Sequence, residues 1–205
     1  MGTITESMIQ FAVSGLVKRS EASFDEVFRK EEEVNRLQVE VDDMAVKLTA
    51  RQQPMAQDVR FLFMASRIGG EMERIADQAI NICQNARHVI EDESGPLRPL
   101  VELPIMADLA QKMVRDSLTA MIQRDVARAA VVLDEENQVD AFRNKIFATL
   151  LAGMKQDPAS IERSLSLILI SRNLERVGDH ATNIAEEVIY WIQGRDVRHT
   201  KGVGV

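Results

Sequence analysis

The chain has 205 residues and a formal net charge of -7, with 25 Lys and Arg against 32 Asp and Glu, so a phosphate backbone is repelled overall and no nucleic-acid partner is expected. Cys83 is the only cysteine, which excludes a disulfide framework or a thiolate zinc site and fits a reducing cytoplasm. No run of about 18 apolar residues offers a membrane span, and the opening MGTITESMIQF has neither a basic leader nor an uninterrupted apolar stretch, so a cytoplasmic protein without a signal peptide is expected.

Aromatics are only 4% of the chain, while Ala, Leu, Glu, Arg, Met and Gln dominate, a helix-forming composition. Each proline removes a backbone donor and biases the preceding residue away from helix. Pro54 and Pro158 stand alone, and Pro96, Pro99 and Pro104 cluster in EDESGPLRPLVELP. Weaker polar breaks fall at KRSEASFDE and IQRDVARAA. Six helices follow in chain order, over 3–19, 21–51, 55–92, 103–124, 126–154 and 159–193. The expected fold is all-α: two tandem, similar three-helix bundles over 1–95 and 105–205, the second with a short C-terminal tail, joined by a Pro-rich linker over 96–104.

In the last helix Leu167, Ile170, Leu174, Val177, Ala181, Ile184, Val188 and Trp191 follow one another in alternating three- and four-residue steps, a heptad seam facing a core. The third helix repeats it with Ala65, Ile68, Met72, Ile75, Ala79, Ile82, Ala86 and Val89. Val34, Leu37, Val41, Met44 and Leu48 form a similar row in the second helix, matched by Val139, Phe142 and Ile146 in the fifth. The chain is an internal duplication of a three-helix unit. Met44, Met55, Met64 and Met72 read as core filler, and Cys83 as a small packed side chain.

Polar matches carry more than the seams do. Glu73-Arg-Ile-Ala-Asp77-Gln-Ala-Ile-Asn81 aligns with Glu175-Arg-Val-Gly-Asp179-His-Ala-Thr-Asn183. Glu, Asp and Asn at i, i+4 and i+8 stack oxygen-bearing side chains on one helix face, opposite the seam and so on the outside of the bundle. Glu31 with Asn35 and Glu136 with Asp140 form a second pair of such rows. Consecutive helices joined by short turns run antiparallel. Glu31 and Glu73 stand equally far from a turn near residue 52, and Glu136 and Glu175 nearly so from a turn near residue 156. The rows therefore share a level on neighbouring helices.

Clustered carboxylates repel one another, and a hard cation relieves that repulsion. Two surface metal sites are expected, at Glu31, Glu73, Asp77 and Asn81 and at Glu136, Asp140, Glu175, Asp179 and Asn183. Oxygen-only ligation suits Mg²⁺, Mn²⁺, Ca²⁺ or carboxylate-bridged iron and argues against structural zinc. The alternative is a solvated acidic face on which Arg74 and Arg176 pair with neighbouring carboxylates. His180, beside Asp179, could add a nitrogen ligand, though adjacent helical residues point about 100° apart and packing is the plainer role. Gly69-Gly70 marks either a bend or a close helix contact.

The doubled E-R-[I/V]-[A/G]-D with its following N-I, the paired E-x-x-x-[N/D] rows and Arg51-Gln-Gln-Pro54 resemble the PhoU family, regulators of phosphate uptake, over about Met8 to Trp191 and on to the segment after Gly194. The resemblance implies six helices in two bundles, with metal ions on E/D-x-x-x-D motifs. Glu73, Asp77, Glu175 and Asp179 match the motif directly, and Glu31, Glu136 and Asp140 match its preceding copy. The ions expected are iron, manganese, magnesium or zinc. Two departures stand out. Asn35 occupies a position where the pattern has Asp, and the chain starts inside the family's first helix, which would leave apolar surface on the first bundle.

Function by resemblance is regulatory rather than enzymatic. It implies a negative regulator of uptake and of Pho-regulon signalling that couples the ATPase subunit of a phosphate ABC transporter to a phosphate-sensing histidine kinase. Such a protein is a homodimer, peripheral to the membrane through its partners. No G-x-S-x-G, Walker loop, G-x-G-x-x-G or H-E-x-x-H occurs. The rival readings are a metal-free helical adaptor and a ferritin-like di-iron protein, the latter disfavoured because E-x-x-H pairs are absent.

Overall fold

A computed structural model describes residues 1–92 and 101–198. Six α-helices make up nearly all of it: α1 (Gly2–Lys18), α2 (Glu21–Gln52), α3 (Ala56–Glu91), α4 (Glu102–Gln123), α5 (Val126–Gln156) and α6 (Ile161–Gln193). A short 3-10 turn, Pro158–Ser160, leads into α6. The expected helices stand within a few residues of their ends. Most of the Pro-rich linker falls outside the described residues, and α4 begins inside its expected range.

Helix ends repeat between the halves. At Arg19 and Arg124 the backbone turns left-handed, each with φ 54°. The following N–H groups, of Ser20 and Asp125, reach back 2.9 Å to the carbonyls of Gly15 and Ala120. This motif satisfies end-of-helix acceptors and turns the chain tightly into the next helix. The Asp125 carboxylate also caps α5, accepting from the Arg128 N–H at 3.0 Å. A Cβ on Gly15 would overlap the Phe24 ring, so glycine is what lets α1 lie this close to α2.

In each half the three helices pack mutually, and the halves meet where α3 lies along α6 and α1 along α4. The α3–α6 pair is antiparallel: Arg67 reaches Glu187, and at the opposite end Asp92 lies 3.9 Å from Arg163. Both long seams are buried in one continuous core, except that Ala65 is half-buried. Cys83 is fully buried, and burial pushes its thiol up to about 12. Trp191 is buried at the end of α6 against Phe61, with ring centroids 5.3 Å apart.

The row expected along α2 is only half a core row. Val34 is buried, but Met44 and Leu48 are 60% and 40% exposed. The physical reason is length: α1 has 17 residues beside the 32 of α2, so its apolar face ends before theirs. Met55, expected in the core, is 78% exposed at the hairpin turn, whereas Met64 and Met72 are buried as expected. The first unit thus exposes apolar surface. α3 runs unbroken through Gly69-Gly70; Gly69 is buried facing Val41, and Gly70 has open space beside it.

Candidate metal centre

The antiparallel α2–α3 hairpin carries Glu31 and Asn35 on one helix and Glu73 and Asp77 on the other. Asn35 donates from Nδ2 to Glu31 Oε1 at 2.5 Å. Its Oδ1 is buried and accepts from no donor, a polar oxygen left without a partner. The Glu73 carboxyl is held above its ordinary range by burial first, then by the Asp77 and Glu31 carboxylates, with Arg74 opposing. Asn81 lies one turn further along α3, half-buried, its backbone carbonyl accepting from Asn85 Nδ2 at 2.7 Å.

The α5–α6 hairpin carries the corresponding group. Burial pushes the Asp179 carboxyl up, and the carboxylates of Glu175, Glu136 and Asp140 push it further. Four acids on two helices are therefore close enough to feel one another. Arg143 answers part of that charge, donating from Nη2 to Glu175 Oε1 at 2.9 Å. Asp77 is exposed and Glu73, Glu175 and Asp179 are only half-exposed, so the rows sit in the shoulders of the hairpins rather than fully outside.

The donor set suits a hard cation: its oxygens belong to carboxylates and amides, the carboxylates are strained by mutual repulsion, and Asn35 Oδ1 lacks a donor. The arrangement is nevertheless open. Among the described residues, no group of three or more His, Cys, Asp or Glu side chains could hold one ion as placed.

Asn183 of the expected second row and its neighbour His180 also reach the other half. Asn183 donates from Nδ2 to Glu71 Oε2 at 3.0 Å, across to the other half, and His180 Nδ1 lies 2.8 Å from the same oxygen. Burial pushes the Glu71 carboxyl up, but the hydrogen bonds from His180 and Asn183 outweigh it and hold the group below its ordinary range. Arg67 donates to both Glu187 oxygens, at 2.9 and 3.1 Å, beside a cleft of about 450 Å³ that Gly70, Arg74 and Arg198 also line. Reasoning from the duplication misses Glu71, Arg67 and Glu187 because the corresponding positions hold Asn173, Leu169 and Asn85.

Comparisons with known proteins agree with this architecture. The PhoU domain model matches twice, at residues 1–86 and 103–188. A Pseudomonas putida protein described as a phosphate-specific transport system accessory protein PhoU homolog is 36% identical over 199 residues, covering 97% of this chain and 77% of its own length. The crystal structure of PhoU from Pseudomonas aeruginosa superposes with a TM-score of 0.90 at 33% identity, covering 95% of this chain and 93% of that one. That of the phosphate transport system regulatory protein PhoU from Streptococcus pneumoniae has a TM-score of 0.87 at 21% identity, covering 96% and 91%, a likeness of fold.

Proposed function

This chain belongs to the PhoU family, and from that premise we propose that it is a phosphate-responsive regulatory accessory protein rather than an enzyme. It restrains phosphate uptake and phosphate-starvation signalling when phosphate is plentiful. It does so by linking the ATPase subunit of a phosphate ABC transporter to a phosphate-sensing histidine kinase. The observation that carries the reading is similarity over 97% of the chain to a relative described as an accessory protein of phosphate-specific transport.

The protein works in the cytoplasm and reaches the inner face of the membrane through its partners; among the described residues no helix is long and apolar enough to cross a membrane. It acts as a homodimer, a state supported by the exposed Met44, Leu48 and Phe63 of the first hairpin. Divalent or iron ions bind Glu31, Glu73, Asp77 and Asn81 in the first unit, and Glu136, Asp140, Glu175, Asp179 and Asn183 in the second. When bound, such an ion supplies positive charge among carboxylates that otherwise repel one another. The residues' own part is to bring α2 to α3, and α5 to α6, in a register that shares the ligands.

Co-purification tests the coupling. The tagged chain, expressed with the transporter ATPase and the kinase of its own host, is expected to retain both; failure to retain either contradicts the reading. A metal-free adaptor is the second reading, favoured by the open arrangement of the acids and by the cation of Arg143 already set against Glu175.

A further inference from the structure

On the outer face of α6, Ile161, Leu165, Leu169, Arg172 and Arg176 follow one another in three- and four-residue steps, and all five are exposed. That spacing draws one strip along a helix, roughly 22 Å long at 1.5 Å per residue. Phe147 and Leu151 are exposed on α5. The Arg143–Glu175 hydrogen bond and the approach of Val139 to Gly178 set the antiparallel register. In that register Leu151 is level with Leu165, and Phe147 with Leu169.

The first hairpin is built differently at the same place. Where the second has Phe147 and Ile168, the first has Asp42 and Ser66. There the Ser66 hydroxyl donates to Asp42 Oδ1, and Gln38 Nε2 donates to Asp42 Oδ2 at 2.7 Å. Where the second has Arg172, the first has Gly70. Both hairpins expose an apolar pair further out, Val46 with Phe63 and Leu151 with Leu165. The second extends that pair into a strip that ends in two arginines.

Cations stand at both ends of the strip in a chain of net charge -7. Lys155, Arg172 and Arg176 are exposed and form no ion pair with the described residues. Asp157 and Glu162 oppose them at the turn, but Asp157 already accepts from the Ala159 N–H at 3.1 Å.

We propose that this strip docks an amphipathic helix of a partner protein, with apolar residues at i, i+4 and i+7 and an acidic flank that meets Arg172, Arg176 and Lys155. A helix is narrow enough to follow the strip with its acids on the arginine side. An anionic bilayer is broad and would have to cover Glu136, Asp140, Glu175 and Asp179 as well, where like charges repel, whereas a helix can keep its acids toward Lys155 and Arg172 and end beside Arg176. The proposal rests on the reading that the chain works through protein contacts.

The test is fluorescence anisotropy with the full chain and a labelled helical peptide of about 18 residues, with Leu at i, i+4, i+7 and i+11 and Glu on its flanks. Saturable binding is expected, weakened at least about tenfold by Leu151→Asp with Leu165→Asp and by Arg172→Glu with Arg176→Glu. Ile122→Asp, at an exposed site on α4, leaves it unchanged, and a peptide with Lys for Glu does not bind. Circular dichroism melts establish that each variant folds. The proposal is overturned by equal binding of the two peptides, by full binding to the strip variants, or by vesicles of phosphatidylglycerol and phosphatidylcholine binding where the acidic peptide does not. Co-purification with the transporter ATPase that persists undiminished in the strip variants overturns the strip and leaves the accessory role standing.

Discussion

Asn183, the last residue of the polar row on α6, donates its amide to Glu71 on α3 at 3.0 Å, so this position of the row also serves as a strut between the two halves. The same carboxylate oxygen faces His180 at 2.8 Å. Two donors from one half thus converge on a single acid of the other, in a contact only 14% to 17% exposed at the His180 and Glu71 side chains.

Replacing that acid tests the strut. Glu71→Gln keeps the size but removes the charge, and is expected to destabilise the protein by roughly 1.5–3 kcal/mol, the range for hydrogen bonds to charged groups. Urea unfolding measures it. Asn183→Ala is expected to cost less, and its effect to shrink in the Glu71→Gln background, because the two changes remove one shared interaction.

Metal content separates the two readings of the acidic rows. Protein purified without chelator is expected to carry iron, manganese, magnesium or zinc in stoichiometric amount, lost when Asp77→Ala and Asp179→Ala are combined. Elemental analysis before and after chelation reads it directly. A protein that stays metal-free after reconstitution is the helical adaptor of the second reading.

Acid titration of the metal-free protein follows from the same charges. Burial and neighbouring carboxylates make Asp179 and Glu73 bind protons more readily in the folded protein than ordinary Asp and Glu carboxyls do. Above their raised folded pKa both are charged and carry the full repulsive cost; as pH falls through that range they take up protons first in the folded state, and stability rises. Glu71 acts oppositely: its stabilisation is present above 4.5 and is lost as pH falls through its lowered folded value. Melting temperature against pH is therefore expected to rise in mild acid and then fall. Asp179→Asn with Glu73→Gln removes the rise and keeps the fall.

The left-handed arginines give a test of the backbone. Arg19 is exposed at φ 54°, a conformation that disfavours a Cβ by about 1–2 kcal/mol. Arg19→Gly is expected to stabilise the fold by up to about 1 kcal/mol. Arg124→Gly gains less, because the Arg124 guanidinium lies 5.0 Å from the Trp191 ring centroid and that contact is lost. Thermal melts of the two variants compare them.

Seams and breaks were legible because periodicity reports which face of a helix is apolar and proline reports where a helix cannot continue. Periodicity does not report whether a neighbour is long enough to cover that face, which is why Met44 and Leu48 read as core and are exposed beyond the reach of α1. The acidic rows were legible because they occur twice. Arg67, Glu71 and Glu187 were not, since a contact between the halves uses different residues from each half and leaves no duplicated trace. The tie between Arg143 and Glu175 was hidden likewise, with Gln38 at the corresponding place in the first unit.

The most direct test of the regulatory account is the transcript level of phosphate-starvation genes in phosphate-replete host cells, with the chain deleted and then restored. The account predicts derepression on deletion and repression again when the wild-type chain is supplied. Transcript levels that stay low in the deletion strain while starvation still induces them would contradict it.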